Sequence, residues 1–372
     1  MSAKESKPSI DVSSNTLSSF YIMSSIVGAI STMQAAVNSK LGQAAGQPLY
    51  GALICYIIGS SCMFLISYAH AQQNNIGFFT FSSGTKPQWW EFGGGVAGAI
   101  YMAIAVTAAP IVGVEMFFSL VVVGQLSASI FLDHIGFVGL PISLANKGKF
   151  ISLAVALAGV IVSALAEGHA ASSPHSLNPM DSLEKHKAQP SSSFSGLIIL
   201  YLVSMAVGAL QPLQAALNWR LGNLLPHKLQ AVATSFFIAL LCATVGSIFL
   251  FYANDATLGD IQDNLLVRSS WWVYLGPVCQ LCVLFGGVVF PAKITTSLYY
   301  LLYILGELIA SLIFDHIGAF GLAVRLASSP RVIGLSLVMV GSIMMHFAPQ
   351  ITSYVDGPTT TETKKTEDKN SL

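Results

Sequence analysis

Two stretches of this chain return in the same order about half its length later, and that repetition limits the fold more than any other feature. Gly28 to Gly42 reads GAISTMQAAVNSKLG and Gly208 to Gly222 reads GALQPLQAALNWRLG, eight of fifteen positions identical at a spacing of 180. Gly124 to Leu140 (GQLSASIFLDHIGFVGL) recurs as Gly306 to Leu322 (GELIASLIFDHIGAFGL), ten of seventeen identical at a spacing of 182. The pair Trp89-Trp90 returns at Trp271-Trp272, and Lys149-Phe150-Ile151 is echoed by Arg331-Val332-Ile333. Both copies lie on long apolar segments, so the chain reads as one membrane unit written twice. Polar residues kept inside repeated apolar segments point to a pathway through a bilayer.

Composition agrees. Charged residues make up 9 % of the chain and apolar residues 53 %, against roughly 25 % charged in soluble domains. The formal net charge is zero, so there is no basic field to draw in nucleic acid. All five cysteines (Cys55, Cys62, Cys242, Cys279, Cys282) fall within apolar runs, which argues against a disulfide framework. Cys279 and Cys282 have CxxC spacing but lack a second ligand pair. No metal or other cofactor is implied.

Apolar segments run about 18–38, 49–69, 89–109, 111–131 and 150–166, then about 196–217, 229–252, 271–290, 294–314 and 332–348. Segments of about 20 residues match a hydrocarbon core of about 30 Å, and each is expected to be a helix because a barrel needs short alternating strands. The expected fold is therefore an all-α polytopic membrane protein with ten transmembrane helices, arranged as two five-helix repeats. Residues 1–17 are a polar N-terminal tail, 18–166 the first repeat, 167–195 a polar linker expected to be disordered, 196–348 the second repeat, and 349–372 a polar tail read the same way. A five-span unit ends on the face opposite its start. The second copy must then enter the membrane inverted, which places a binding site between the halves near the midplane.

Lysine and arginine placement gives the orientation. With the amino terminus inside, eleven such residues fall on the cytoplasmic side and six on the other. Both termini are expected to be cytoplasmic; which membrane holds the protein is not encoded in these residues.

Polar residues inside the spans are the candidate functional groups. Ser31, Gln34 and Asn38 lie at i, i+3 and i+7, on one face of the first helix, and Gln211, Gln214 and Asn218 repeat the spacing in the second half. Buried amides cost several kcal/mol without a partner, so these must face protein or a wet cavity. Two readings are open: a hydrogen-bonding lining for a substrate path, or polar contacts that hold helices together. Pro212 beside the second stripe is expected to kink its helix.

On the fourth helix of each half, Gly124-xxx-Ala128 and Gly306-xxx-Ala310 permit close helix contact. Beside them Gln125 and Glu307 occupy equivalent positions, well inside the span. An ionisable group at that depth is a functional candidate by default, and Glu307 is the leading candidate for coupling transport to a proton. Glu115, early in its span with Ser297 as counterpart, is a second coupling candidate. Asp133-His134 and Asp315-His316 close the two fourth helices, and either a proton relay or a glycine-terminated turn fits them. The tryptophan pairs begin their spans as interfacial anchors.

The twice-occurring patterns G-A-x-x-x-x-Q-A-A-x-N-x-[KR]-L-G and G-[QE]-L-x-A-S-x-x-x-D-H-I-G resemble the YdcZ-like family of the drug/metabolite transporter superfamily. Its members are typically one unit of about five helices; this chain resembles a tandem fusion of two. The resemblance implies a ten-helix inverted-repeat transporter whose central helices line the cavity. By position, it carries Gln34, Asn38, Gln125 and Asp133, with Gln214, Asn218, Glu307 and Asp315, onto the family's polar positions. The related small multidrug exporters have their essential glutamate on the first helix. No acid lies on that helix here.

The function expected is a secondary transporter of a small solute working by alternating access, with the lipid bilayer and that solute as its partners. The rival is a non-transporting assembly or sensor protein whose polar stripes only pack helices. The chain contains no GxxxxGK[ST], HExxH or GxSxG pattern, and the acid–histidine pairs lack a nucleophile, so an enzyme is not expected.

Overall fold

Helices occupy nearly all of the computed structural model, which describes residues 14–77, 86–139, 142–172, 194–253, 270–294 and 296–356. The first half contributes α1 (Ser14–Ala44), α2 (Pro48–Gln73), α3 (Gly93–Val112), α4 (Val114–Ile135) and α5 (Lys147–Ser172). The second contributes α6 (Phe194–Leu224), α7 (Lys228–Ala253), α8 (Gly276–Val289), α9 (Thr296–Ile317) and α10 (Ser329–His346). A short α11 (Ala348–Asp356) follows. Among the described residues nine helices are long and apolar enough to span a bilayer. The tenth, α8, is shorter. Trp271–Leu275 winds as a tighter 3₁₀ turn ahead of it, and Pro291, with no N–H to donate, opens a separate single turn after it.

Helix directions follow from which ends meet. Phe20, near the start of α1, packs at a tilt against Phe290 just ahead of α9, with ring centroids 5.7 Å apart. Lys40, near the end of α1, reaches Gly321 just beyond α9. So α1 and α9 run parallel. In contrast, Gly94 and Gly98 of α3 face Asn218 and Gln214 of α6, and Gly148 and Gly159 of α5 face Ala348, just past the end of α10, and Gly334, near its start. Those pairs are antiparallel. With successive helices alternating, these directions hold together only if α6 enters the membrane opposite to α1. The halves are inverted.

Close approaches repeat across the pseudo-twofold. Gly28 of α1 sits on the Tyr303 carbonyl of α9 and Gly208 of α6 on the Val121 carbonyl of α4; Gly124 meets Met205, and Gly306 meets Ser25. Absence of a side chain at these glycines lets helix backbones touch, the contact that substitutes for hydrophobic drive inside lipid. The main core lies where α1, α4 and α9 meet, around Phe117, Phe118, Val121, Tyr299 and Leu308. The α5–α10 pair packs at one side, while α2 and α7 close a second cluster around Tyr56, Met63 and Phe236.

Several boundaries differ from the sequence expectation. α5 continues to Ser172 and α6 begins at Phe194; the intervening linker lies outside the described residues. The tail expected from 349 includes α11, which docks on α5: Gly148 N–H donates to Thr352 Oγ1 at 2.8 Å, and Ala348 is fully buried. That contact satisfies a helix-start donor of α5; the residues after 356 lie outside the described residues. α6 remains helical through Pro212.

Candidate functional site

The boundary between the halves gathers the polar residues that the repeat singles out. Glu307 of α9 is fully buried. Its Oε1 accepts a hydrogen bond from Ser31 Oγ of α1 at 2.8 Å, and Ser31 Oγ in turn accepts from the Tyr303 hydroxyl at 2.7 Å. Thr32 Oγ1 donates to the Glu307 backbone carbonyl at 3.1 Å. Glu307 Oε2 has no hydrogen-bond partner. Tyr101 of α3, Tyr299 and Tyr303 lie within electrostatic reach of the carboxylate, and Gln211 of α6 hydrogen-bonds Tyr101. Glu307 thus bonds α9 to α1, with Tyr101 of α3 near the carboxylate and Gln211 of α6 bonded to that tyrosine. Its counterpart Gln125, on α4, is buried as well.

The stripe residues occupy matched niches. Asn38 is fully buried; its Nδ2 donates to Cys55 Sγ (3.4 Å) and Met102 Sδ (3.5 Å), while Cys55 Sγ donates to Gln280 Oε1 at 3.1 Å. Its Oδ1 points at Gly276, which begins α8, and has no partner. In the other half Asn218 Oδ1 points at Gly94 near the start of α3, and it too has no partner. A Cβ at either glycine would collide with the carboxamide. Gln214 lies against Gly98, and Gln34 is buried. Buried polar atoms without partners are rare and call for a role.

Glu115 does not reach the interface. It is fully buried, and Arg331 of α10 binds its Oε2 through Nε at 3.2 Å and Nη2 at 3.0 Å, with Ser119 and Ser163 donating to Oε1. Arg331 Nη2 also donates to Asp315 Oδ2 at 2.9 Å. Asp315 in turn accepts the first backbone N–H groups of α4, from Val114 at 3.0 Å and Glu115 at 3.1 Å, as an acid at a helix N-terminus does. Arg325 completes the clamp by donating to the carbonyls of Ile111 and Val112. Ser297, the counterpart of Glu115, has a side chain outside the described residues.

Both DHIG segments build the same turn. Gly136 and Gly318 end their helices at φ of 60° and 61°, and Val138 and Phe320 follow at 53° and 57°. His134 Nδ1 accepts the Ala145 N–H and His316 Nδ1 the Ala327 N–H, each eleven residues on. Those rings clamp loops. Asp133, unlike Asp315, pairs with Lys149 at 3.7 Å.

Sequence reasoning missed the Arg331 clamp, the tyrosines around Glu307, and a buried Glu91 that pairs with Arg220 at 3.0 Å. The one available signal was the Lys149/Arg331 echo, which marks a cation kept at equivalent places.

A family described as "Putative inner membrane exporter, YdcZ" matches residues 19–162 and again 199–344. No curated protein matches the chain. Four chains of solved structures do. One, described only as "Crystal structure of protein", shares 13 % identity with a TM-score of 0.50, covering 92 % of this chain and 99 % of its own. It supports the fold alone.

Proposed function

Because this chain belongs to the YdcZ family, described as that of an inner membrane exporter, we propose that it carries a small solute across the bilayer by alternating access. The chain is a multi-pass membrane transporter; cargo, coupling and sidedness are the proposal. The observation that carries it is Glu307: a buried carboxylate on the boundary between inverted halves, with one oxygen bonded and the other unpartnered. Residues that only hold helices together have no use for an orphaned acid oxygen, because its desolvation is costly. In this reading Glu307 takes and releases a proton as the halves rock, and the Asn and Gln stripes offer hydrogen bonds to the cargo.

Flux into proteoliposomes tests the proposal. Amines, sugars, amino acids and organic anions are offered with and without a pH gradient. At least one should move, and Glu307→Gln should abolish its response to the gradient. Flux with an unchanged response would remove the coupling role, and absence of any flux would favour an assembly or sensor protein.

Both termini are proposed to be cytoplasmic. Of the six basic residues counted on the far side, Arg325 and Arg331 are bound to the α3–α4 corner, which leaves fewer free cations there. In a chain without its native cysteines, Ser182→Cys should react with an impermeant thiol reagent added outside and Thr366→Cys should not. The reverse pattern would invert the assignment.

A further inference from the structure

Among the described residues four carboxylic side chains are almost wholly buried: Glu91, Glu115, Asp315 and Glu307. Three meet a guanidinium. Glu91 has Arg220 at 3.0 Å, while Glu115 and Asp315 share Arg331 at 3.0 and 2.9 Å. Glu307 has hydroxyl chemistry instead, from Ser31 and Tyr303, which also bond each other. No lysine, arginine or histidine among the described residues pairs with it. A buried carboxylate of this kind is stable only with a proton or with a cation brought to it.

Its surroundings favour a particular cation. Tyr299 and Tyr303 stand with ring centroids 5.9 Å apart, and Tyr101 approaches from α3. Aromatic faces attract ammonium groups through their quadrupole, most strongly where water is excluded. The repeated polar positions add a second, independent observation. Their unpartnered atoms are Asn38 Oδ1, Asn218 Oδ1 and Glu307 Oε2, and all three are acceptors. The Asn38 orientation follows from its bonds, since its Nδ2 is taken by two sulfur atoms. Asn38 lies seven residues beyond Ser31, and Asn218 seven beyond Gln211 on an oppositely directed helix. A cargo held between the inverted halves would meet unpartnered acceptors and one acid with no basic partner among the described residues. An anion would meet unscreened repulsion there.

We propose that the cargo is an organic ammonium ion, with Glu307 as its counter-ion, tyrosine rings as its walls and the Asn38 and Asn218 oxygens as further acceptors. This deepens the transporter reading and rests on it.

The full chain in detergent and in proteoliposomes is tested with benzylammonium and benzyltrimethylammonium, with benzyl alcohol, benzoate and sodium ion alone as counterparts. Both ammonium probes should raise the unfolding temperature saturably, and the counterparts should not. Glu307→Gln should weaken ammonium binding at least tenfold. Tyr303→Phe, which keeps the ring, should bind within a few-fold of the native chain, and Tyr303→Leu should not; this pair stands even if Glu307→Gln fails to fold. Saturable binding of the alcohol, of benzoate or of sodium alone, ammonium binding unchanged in Glu307→Gln, or no ammonium binding at all would overturn the proposal. Flux of neutral or anionic solutes without ammonium ions would sink the cargo class and leave the carrier standing. Ammonium binding without flux of anything would uphold the site and remove the carrier.

Discussion

Asp133 and Asp315 hold equivalent positions at the ends of α4 and α9, yet their side chains are 43 % and 2 % exposed. Asp315 is folded onto the start of α4 and held there by Arg331. Asp133 faces solvent beside Lys149, whose Nζ also donates to the Ser143 carbonyl and hydroxyl. The α10 helix accordingly packs on α4, and among the described residues α5 makes no comparable contact with α9. One end of the bundle is locked by a dry charge network, and the other is closed by a pair in which Lys149 is buried and only the Asp133 carboxylate meets solvent. Inverted repeats need such a difference if one face is to be shut while the other opens.

The two cations should therefore differ in what their loss costs. Arg331→Ala leaves Glu115 and Asp315 buried without a counter-charge and should destabilise by about 3–5 kcal/mol. Lys149→Ala breaks a partly solvated pair and should cost at most about 1 kcal/mol. Unfolding in detergent, monitored by denaturant or heat, measures both. Equal losses would mean that the network is not what locks that end.

Helix contact at the pseudo-twofold should be intolerant of one methyl group. A Cβ on Gly28 would collide with the Tyr303 carbonyl, a backbone atom that cannot swing aside. Gly28→Ala should cost about 1–3 kcal/mol through forced separation of α1 and α9. Gly222→Ala is the contrast, since its nearest neighbours would lie at 3.5 Å or beyond. That change should be neutral or stabilise by about 0.5–1 kcal/mol, as alanine does over glycine within a helix. Thermal unfolding of the two variants side by side decides the matter.

Gly276→Ala and Gly94→Ala act on function instead. Each methyl would displace the unpartnered carboxamide facing it, Asn38 or Asn218. If those oxygens touch the cargo, each variant should lose roughly tenfold in flux, about 1.4 kcal/mol in the transport barrier. Expression and unfolding temperature measured alongside separate this from misfolding. Native flux in both variants would take the asparagines out of the path.

One pH effect on stability lies outside the spans. His227 stands between α6 and α7 with its ring centroid 3.9 Å from that of His70, and its Nδ1 accepts the Leu229 N–H. Burial, then His70 and Lys228, hold its pKa below the ordinary histidine value. The unfolded chain, with histidine near pH 6.5, therefore takes up this proton first. The contribution is whole above about pH 6.5, declines as pH falls towards the lowered folded value, and levels off below it. His227→Gln should flatten that part of the profile. Unfolding curves of both proteins falling in parallel across this window would assign the loss to other groups.

Spans and their helical character were legible because bilayer thickness acts on local composition, which any window of residues displays, and the inversion because the repeat is written in the order of the chain. Glu307 was legible for the same reason: an acid deep in an apolar run stands out without knowledge of its neighbours. The two histidine pairs were half legible. Their glycines announced a turn, while the use of each ring as a loop clamp depends on an N–H eleven residues away.

The residues themselves sufficed for a duplicated, inverted membrane bundle and for the candidates within it, since hydrophobic length, helical periodicity and an odd span count are properties of the chain in order. Folding alone chose among the acids. Glu115 and Arg331 are 216 positions apart and Ser31 and Glu307 are 276 apart, separations at which spacing carries no signal. Which carboxylate receives a guanidinium and which receives only a hydroxyl depends on where crossing helices bring side chains together in a medium that leaves no water to mediate.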